Sequence, residues 1–318
     1  MKNQIKNSKI LVVGGAGFIG SHLAEELLLK GAKLTILDDF SNGRMENLEN
    51  FRDKVIVIKY DISSPFWKLK NKLKDNFDGI FHLACFPRSM SLKDPFRDLE
   101  VNAWGTLNVL ELARLKKNCK VIFTSNSGIY GDPKYLPIDE KHPDNPTTPY
   151  DANKLTSEYY MKIYYRIFGV PVGICRLAAV YGERQRIKPG WKPLIPEFTT
   201  KISKREKATI YWDGKQTRDL IYVKDVVQGL IKAFLADTKE EVFILGTEVE
   251  TSIDEIYKII CGKFGKWIEP KRGEKTPGDL RRMKLSYKKA KEWLNFKPKY
   301  TISQGIERYI NWFNSSKV

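Results

Sequence analysis

Two side chains able to move a proton stand four residues apart near the middle of the chain. The run Tyr150-Asp151-Ala152-Asn153-Lys154 begins with the tyrosine and ends with the lysine. Positions i and i+4 lie on one face of a helix. An ammonium group near a phenol favours the phenolate and lowers the pKa of the tyrosine. We therefore expect Tyr150 to act as a general base toward a hydroxyl group, with Lys154 as its activator. This spacing alone is common, and its ordinary meaning is an aromatic side chain on a helix beside a solvated lysine.

A polar segment at the end of a predicted strand supplies further catalytic candidates. Ser125, Asn126 and Ser127 follow an apolar run, and side chains at the carboxyl edge of a parallel sheet lie in the crevice where ligands bind. We expect one of the hydroxyls of this segment to hydrogen-bond the oxygen that reacts. A polar loop that only caps the strand is the alternative.

Three glycines at intervals of three, Gly14, Gly17 and Gly20, follow the first apolar run. Between a strand and a helix, this spacing permits a tight turn, a close approach of pyrophosphate and close packing of the helix on the sheet. Asp38 ends the second predicted strand, 18 residues after Gly20, where a carboxylate accepts hydrogen bonds from ribose hydroxyls. It would repel a 2′-phosphate, so NAD is favoured over NADP, although Arg44 weakens that preference. A glycine-rich turn without a ligand is the alternative.

Apolar runs alternate with helical spacing through the first part of the chain. Strands are predicted at 9–13, 33–37, 55–59, 79–83, 120–124 and 171–176, and helices at 18–30, 94–117 and 150–168. Strands that alternate with helices indicate βαβ units and a parallel sheet. The predicted fold class is therefore α/β, a Rossmann-type doubly wound parallel sheet with a smaller C-terminal α/β lobe.

After residue 177 the alternation weakens. Pro189, Pro193 and Pro196 punctuate a stretch expected to be rich in loops, and helices are predicted again at about 224–235, 252–263, 287–294 and 303–313. We assign residues 1–177 and about 221–246 to the Rossmann domain. Residues 178–220 and about 247–318 are assigned to the smaller lobe.

The charge of the 318-residue chain is unevenly distributed. Lysine and arginine number 55 against 38 acidic residues, a formal net charge of +17. Residues 151–318 hold 33 basic and 20 acidic side chains, so 33 − 20 gives +13 for that half. The excess suggests an anionic partner, either nucleic acid, a membrane surface or a phosphorylated small molecule; a solvated lysine surface is the alternative. No apolar run is long enough for a membrane span, and no nucleic-acid recognition motif accompanies the charge, so we expect neither partner.

Cysteine and histidine usage argues against a metal site. The four cysteines are far apart and form no C-x-x-C pair, and only three histidines occur. We expect buried free thiols in a reducing compartment. No secretory signal is recognisable at the N-terminus, which favours a cytoplasmic protein.

In their order, these motifs resemble the extended short-chain dehydrogenases/reductases, specifically the NAD-dependent nucleotide-sugar epimerases and dehydratases. The likeness runs over nearly the whole chain, from the glycine loop through Tyr150/Lys154 to Arg218-Asp219 and Pro277-Gly278-Asp279. It implies that bound NAD oxidises C4 of a nucleotide-diphosphate sugar, and that the 4-keto intermediate is re-reduced from its other face, loses water or loses a carboxylate.

The resemblance also implies roles for individual residues. Arg218 and the region of Arg281 and Arg282 would meet the diphosphate, and Asp279 the nucleotide ribose, with Arg88 as a further substrate residue. The implied cofactor residues are Gly14, Gly17, Phe18, Ile19, Gly20, Asp38, Asn42, Asp61, Ile62, Leu83, Ala84, Asn102, Tyr150 and Lys154. Among these, Asp61 and Ile62 would contact adenine.

The chain departs from the family pattern in three places. Asn126 stands where members usually have a catalytic Ser or Thr, the segment after Ala84 is shorter than in typical 4-epimerases, and Ala179 replaces an Asn. Dehydratases carry an Asp-Glu acid pair where this chain has Ser127 and Gly128, and elimination needs that acid and base, so dehydration is disfavoured.

These observations lead to a ranked set of functions. We predict a UDP-sugar 4-epimerase, with UDP-glucuronate decarboxylase as the alternative. A non-catalytic NAD-binding protein is less favoured, because an intact Tyr/Lys pair has little purpose in a pure binder.

The resemblance further implies a homodimer. Its two long helices, about 94–117 and 150–168, would pair with those of a second copy into a four-helix bundle. The apolar candidates for this surface, some of which must belong to the core, are Trp104, Leu107, Leu110, Tyr160, Tyr164 and Ile167.

Overall fold

The structure, a computed structural model, describes residues 4–116, 118–187, 192–275 and 279–315. Lys117, Pro189, Pro277 and Gly278, which entered the predictions above, lie outside these ranges. The strands of the described residues are β1 Lys9–Val13, β2 Lys33–Asp38, β3 Val55–Lys59, β4 Gly79–His82, β5 Lys120–Asn126, β6 Val172–Leu177, β7 Ala179–Tyr181, β8 Thr209–Tyr211, β9 Thr217–Arg218, β10 Leu220–Tyr222, β11 Val242–Leu245, β12 Thr251–Ser252 and β13 Lys271–Gly273.

Seven of these strands form one parallel sheet in the order β3-β2-β1-β4-β5-β6-β11. The inner strands are apolar and buried along nearly their whole length, as a sheet covered on both faces requires. The strand order reverses beside β1, which places the switch point of the sheet between β1 and β4. The predicted doubly wound parallel sheet is confirmed, and β11 is a strand that the sequence patterns did not indicate.

Some helices cover the two faces of this sheet, and others lie in the C-terminal part of the chain. They are α1 Phe18–Leu29, α2 Phe66–Lys72, α3 Arg88–Ser91, α4 Pro95–Asp98, α5 Gly105–Arg114, α6 Pro149–Phe168, α7 Leu194–Ser203, α8 Val223–Leu235, α9 Ile253–Lys263, α10 Lys288–Leu294 and α11 Ile302–Ser315. One apolar core packs α1 and α8 against the sheet, and a second packs α5 and α6 against the other face.

The helix predicted over 94–117 is observed as helical backbone from Pro95 to Arg114, with a change of helix type along its length. A wider, π-helical turn, Leu99–Trp104, separates α4 from α5. The carbonyl of Asn102 in this turn accepts hydrogen bonds from Thr106 Oγ1 at 2.6 Å and from Ser157 Oγ at 2.7 Å. Because one of these donors, Ser157, belongs to α6, periodicity along the segment could not reveal the wider turn.

The prediction that residues 189–196 belong to a loop-rich stretch is wrong at its end. Helix α7 begins at Leu194, with Pro193 as its N-cap residue and Pro196 in its first turn. Proline is tolerated there because the first N–H groups of a helix have no intrahelical partner.

A third apolar cluster lies in the C-terminal part of the chain. It brings together α7, α9 and α11 through residues such as Phe198, Tyr257 and Tyr309. Three two-stranded pairings, β7 with β10, β8 with β13 and β9 with β12, accompany it. The domain boundaries proposed from the sequence stay a prediction.

The cysteines are all free thiols in the structure. Cys119, Cys175 and Cys261 are buried as expected, whereas Cys85 is only half-buried because it lines a cavity. No group of three or more His, Cys, Asp or Glu side chains placed to hold a metal ion occurs within the described ranges. Over those same ranges, no helix has the length and apolarity that a membrane crossing needs. The cytoplasmic location stays a prediction.

A buried lysine joins the sheet to the end of a helix. Lys120, 3 % exposed, donates from Nζ to the carbonyls of Ala233 at 2.7 Å and Phe234 at 3.2 Å, in the last turn of α8. A cation at a helix C-terminus is favoured by the exposed carbonyls. We expect Lys120→Met to lower the free energy of unfolding by about 1–3 kcal/mol, since buried acceptors lose their donor.

Denaturant titration of the purified protein measures this loss. Lys30→Met is the matched control, because Lys30 is exposed and forms only a helical pair with Glu26, for which about 0.5 kcal/mol or less is expected. Equal unfolding free energies for the two variants would contradict the stabilising role of Lys120.

Candidate active site

A cavity of about 640 Å³ opens at the carboxyl ends of the parallel strands. Its walls come from the segments that follow β1 to β6, from the N-terminus of α1, and from α6. This is the side of an open α/β sheet at which ligands bind. The cavity is therefore the candidate site for a ligand.

The glycine loop forms one wall of this cavity. Gly14 has a φ of +81°, and a Cβ atom added there would lie 2.6 Å from the backbone nitrogen of Ala84. A side chain at Gly20 would collide with the carbonyl of Gly14. The loop can therefore hold its turn and pack beside β4 only with glycine at these positions, which leaves its backbone open to a pyrophosphate at the start of α1.

Asp38 is held rigidly at the end of β2. Its carboxylate accepts hydrogen bonds from the backbone nitrogens of Ala16 and Phe40, both at 2.9 Å. A Cβ at Gly43 would come within 2.5 Å of Asp38 Oδ1, so the following turn closes over the carboxylate. Asn42 lines the cavity beside it. A fixed carboxylate next to a phosphate-binding loop fits the adenosine ribose of NAD.

The cavity wall beyond β3 contains an ion pair that the sequence motifs did not indicate. Asp61 and Ile62 line the cavity as expected. Asp61 also accepts hydrogen bonds from Arg97 Nη2 at 2.5 Å and from the hydroxyl of Ser63 at 2.7 Å. Arg97 belongs to α4 and lines the cavity too. No local motif marks Arg97, since its partner is 36 positions away.

Behind β4, a polar network supports the wall instead of contacting the cavity. Leu83 and Ala84 line it, whereas Asn102, predicted to contact the cofactor, does not. The side chain of Asn102 receives a hydrogen bond from Phe86 N at 3.1 Å and donates one to Asp98 Oδ1 at 2.6 Å. Asn102 thereby positions the loop after β4, and its predicted role toward the cofactor stays a prediction. Burial lowers the pKa of His82 to about 3, with the charge of Lys154 adding to the shift, so this imidazole is neutral.

Tyr150 and Lys154 lie together in the cavity wall, in the first turns of α6. Lys154 is buried, and its Nζ donates to the carbonyl of Thr124 at 3.0 Å. It lies 5.9 Å from the centre of the Tyr150 ring and 4.5 Å from that of Phe123. Burial lowers the pKa of Lys154.

The expected lowering of the Tyr150 pKa is wrong for the protein without a ligand. Burial raises the pKa of Tyr150 well above its ordinary value, and the neighbouring Cys85 and Asp151 act in the same direction. The ammonium of Lys154 donates to the end of β5, and its charge does not reverse the rise in the pKa of Tyr150. The phenol therefore carries its proton in this state.

The polar end of β5 presents two buried groups to the cavity. Ser125 Oγ and Asn126 Nδ2 are buried and have no hydrogen-bond partner among the described residues. Asn126 Oδ1 accepts from Gly128 N at 2.6 Å, which directs the other end of the amide away from that turn. Ser127, the third candidate, does not line the cavity. Two donors without partners indicate a place for a ligand.

The four predicted substrate residues divide into two groups. Arg88 lines the cavity, and its guanidinium is bound by the fully buried Asp151. Arg218, Asp279 and Arg281 do not line it. Arg218 pairs with Asp279, and Arg281 pairs with Asp213 at 2.8 Å.

Arg218 nevertheless lies close enough to Arg88 to feel its charge. Burial lowers the pKa of Arg218, Asp279 opposes this shift, and the positive charge of Arg88 adds to it. Of the residues that do not line the cavity, Arg218 is therefore within electrostatic range of a cavity residue. The segment after β7 adds cavity residues that the motifs had not singled out, namely Arg184, Gln185 and Arg186.

The family model described as GDP-mannose 4,6 dehydratase matches residues 11–309. A putative UDP-glucose 4-epimerase of Methanocaldococcus jannaschii is 37 % identical over 96 % of this chain and 99 % of its own length. UDP-glucuronic acid decarboxylase 1 of Arabidopsis thaliana is 32 % identical over 98 % of this chain and 71 % of its own. The solved UDP-glucose 4-epimerase of Thermus thermophilus, in complex with NAD, superposes with a TM-score of 0.88 at 30 % identity, covering 97 % of this chain and 99 % of that one.

Proposed function

Because the chain belongs to the GDP-mannose 4,6-dehydratase family, a group of NAD-dependent nucleotide-sugar epimerases and dehydratases, we propose that it is a UDP-sugar 4-epimerase. The observation that carries the proposal is the site at the end of β5. Tyr150 and Lys154 share a cavity wall with Ser125 Oγ and Asn126 Nδ2, two buried groups that lack partners among the described residues.

NAD is the cofactor of this family, and the residues of the cavity fit it. We propose that the backbone of the Gly14–Gly20 loop holds the pyrophosphate, that Asp38 holds the adenosine ribose, and that the wall of Asp61 and Ile62 meets adenine. Phe18, Ile19, Leu83 and Ala84 supply apolar surface along the cavity. When bound, NAD supplies the acceptor and donor of hydride.

Tyr150 is proposed to take the proton of the sugar C4 hydroxyl. The positive charges of Lys154 and of the bound nicotinamide favour the phenolate, so the base form of Tyr150 is expected in the loaded enzyme. Asn126 would donate a hydrogen bond from Nδ2 to the C4 oxygen and thereby replace the usual hydroxyl. Ser125 is placed to do the same, whereas Ser127, outside the cavity wall, is a weaker candidate.

The side chains at the sugar end favour epimerisation over dehydration. Elimination of a hydroxyl requires an acid and a base beside it, and Ser127 and Gly128 provide neither. The nearby carboxylate of Asp151 is fully buried and occupied by Arg88 and by the hydroxyl of Thr148 at 2.7 Å. Epimerisation needs no such pair: Tyr150 only has to return its proton to the C4 oxygen when the 4-keto group is re-reduced.

Product analysis tests this function directly. The purified protein with NAD would be incubated separately with UDP-glucose, UDP-galactose, UDP-glucuronate and the N-acetyl forms, and the products identified by NMR. Interconversion at C4 in any of them supports the proposal, and its absence in all contradicts it. Release of carbon dioxide and formation of UDP-xylose from UDP-glucuronate would establish the decarboxylase instead.

We also propose that the chain forms a homodimer through α5 and α6. Ile163 and Ile167 are 44 % and 71 % exposed, and Trp104 beside α5 is 49 % exposed. Exposed large apolar side chains of this kind support an interaction surface on these helices. Of the six residues predicted for the interface, Leu110 and Tyr164 are buried and belong to the core.

A double substitution, Ile163→Glu with Ile167→Glu, is expected to convert the dimer to a monomer, because it places two carboxylates on the apolar surface. Light scattering measures the mass. Leu29→Glu is the control, since Leu29 is 79 % exposed on α1, at the other face of the sheet. A wild-type protein with the mass of one chain would contradict the dimer.

A further inference from the structure

The purine end of the cavity can be located from the strand order. The glycine loop follows β1, Asp38 ends β2, and β3 is the neighbour of β2 on the side away from β1. A dinucleotide that lies across the carboxyl ends of these strands, with its pyrophosphate at β1 and its adenosine ribose at β2, therefore extends its base toward the end of β3. The cavity walls there include Asp61 and Ile62, which follow β3, and Arg97 of α4.

Arg97 holds the segment after β3 through two hydrogen bonds. Its Nη2 donates to Asp61 Oδ2 at 2.5 Å, and its Nη1 donates to Ser63 Oγ at 2.7 Å. A second carboxylate, that of Glu100, lies 3.1 Å from Nη1. The side chains of Arg97 and Asp61 are 29 % and 34 % exposed, so the pair is partly shielded from solvent. The planar guanidinium therefore fixes the orientation of the Asp61 carboxylate from the side of α4.

The donors around Asp61 leave room for one more hydrogen bond. Oδ1 accepts from Ser63 N at 2.9 Å and from Ser63 Oγ at 2.7 Å, and Oδ2 accepts from Arg97. A carboxylate offers about four acceptor sites, and described residues fill three of them. Burial raises the pKa of Asp61, but the hydrogen bonds from Ser63 and Arg97 outweigh burial and hold this pKa below its ordinary value. Asp61 is therefore ionised at neutral pH and can only accept.

An ionised acceptor with a fixed orientation distinguishes purines by their substituent at C6. Adenine bears an amino group there, which donates hydrogen bonds, whereas hypoxanthine bears an oxygen, which only accepts. Hypoxanthine does offer a donor at the neighbouring N1, but the carboxylate could meet it only if the carboxylate turned or the base moved. A carboxylate that was free to rotate would adapt to either base. The choice of base thus depends on the group that fixes the carboxylate.

We propose that Arg97 is a specificity-determining positioning residue for the cofactor, because it fixes Asp61 so that the open acceptor site meets the amino group of adenine. The inference rests on the proposed placement of NAD and is independent of the reaction at the sugar. The backbone that carries the guanidinium is itself anchored. Asp94, the N-cap residue of α4, accepts a hydrogen bond from Arg97 N at 2.9 Å.

Competition between NAD and deamino-NAD tests this role. Deamino-NAD carries hypoxanthine in place of adenine and is otherwise identical to NAD. The full-length protein would be dialysed to equilibrium against both dinucleotides at equal concentrations, and the bound nucleotides would be quantified by chromatography. The ratio of the two bound forms gives the ratio of their affinities directly. We expect the wild type to prefer NAD by about 10- to 100-fold, the range for a charge-assisted hydrogen bond.

Two variants of Arg97 separate its positioning role from its charge. Arg97→Met should abolish most of the preference for NAD, because Asp61 Oδ2 then loses its fixed donor. Arg97→Lys keeps a positive charge but loses the planar fork that reaches both Asp61 and Ser63, so it should retain only part of the preference. Arg272→Met is the matched control, since it breaks an exposed ion pair outside the cavity, and it should leave the ratio unchanged.

A wild-type ratio near one would overturn the proposal, as would the full preference in both Arg97 variants. A loss of total bound nucleotide at an unchanged ratio would also overturn it, since Arg97 would then support the fold and not the choice of base. No sugar takes part in these measurements, so the absence of C4 interconversion would refute the proposed function and leave this inference standing. Failure to bind either dinucleotide would refute the inference together with the placement of NAD.

Discussion

Replacing Tyr150 by Phe is expected to lower kcat by about 10²- to 10⁴-fold, the contribution of a general base placed at the reacting group. The substitution removes the oxygen that would accept the C4 proton and keeps the ring against its neighbours. Lys154 retains its hydrogen bond to Thr124, so the end of β5 should be unchanged. Turnover of the sugar identified in the product analysis measures the loss, and NAD content and the melting temperature are followed in the same preparations.

Tyr159→Phe is the matched control for this experiment. Tyr159 lies on the same helix and loses the same hydroxyl, but it is 57 % exposed and outside the cavity wall. Its activity should equal that of the wild type. Undiminished turnover by Tyr150→Phe would refute the assignment of the base. A cellular role that survives in Tyr150→Phe, with turnover abolished, would instead favour a non-catalytic NAD-binding protein.

Replacing Arg176 by Met is expected to lower the free energy of unfolding by about 3–5 kcal/mol, because it leaves a buried carboxylate without its counter-ion. Arg176 donates to both oxygens of Glu158, at 2.9 and 2.7 Å, and the side chains of the pair are 4 % and 1 % exposed. It also pairs with Asp144 and stacks over the ring of Tyr130 at 4.7 Å. The residue therefore joins β6 to α6, the helix that carries Tyr150.

Denaturant titration checks this value against a surface pair. Arg272→Met breaks the exposed pair with Asp254, for which about 0–1 kcal/mol is expected. Combining Arg176→Met with Glu158→Leu should regain part of the stability, since no buried charge is then left at Glu158. A loss for Arg176→Met no larger than that of Arg272→Met would show that the buried pair does not stabilise the attachment of α6.

Much of the fold was predictable because its signals are local. Strands β1 and β3 consist mainly of apolar runs, and β5 contains the apolar run Val121-Ile122-Phe123. Gly31, with a φ of +82°, follows the end of α1 as a helix-terminating glycine should. Helix α7 was missed because prolines at a helix start resemble prolines in a loop. The π-helical turn at Leu99–Trp104 was missed because one of the groups that bond its backbone is Ser157 of α6.

The candidate site likewise contains residues that local patterns indicate and residues that only the fold brings together. Gly14, Asp38, Tyr150 and Lys154 could be found from spacing, since each spacing has a chemical reason of its own. The pairings of Arg88 with Asp151 and of Arg97 with Asp61 join residues 63 and 36 positions apart, and no pattern along the chain encodes them. Asn102 stands at a position that matches the family pattern. Its side chain, however, hydrogen-bonds Phe86 in the loop after β4 and Asp98.

By itself, the sequence determined the α/β class, the phosphate loop, the acidic residue that favours NAD and the Tyr/Lys pair, because backbone geometry and one helical turn are sufficient to place them. Tertiary structure decided the properties that depend on burial and on partners distant in the chain. It raised the pKa of Tyr150 in the ligand-free protein and left Ser125 and Asn126 with donors free for a ligand. Solvent exclusion and long-range charge pairing arise only when the elements pack together.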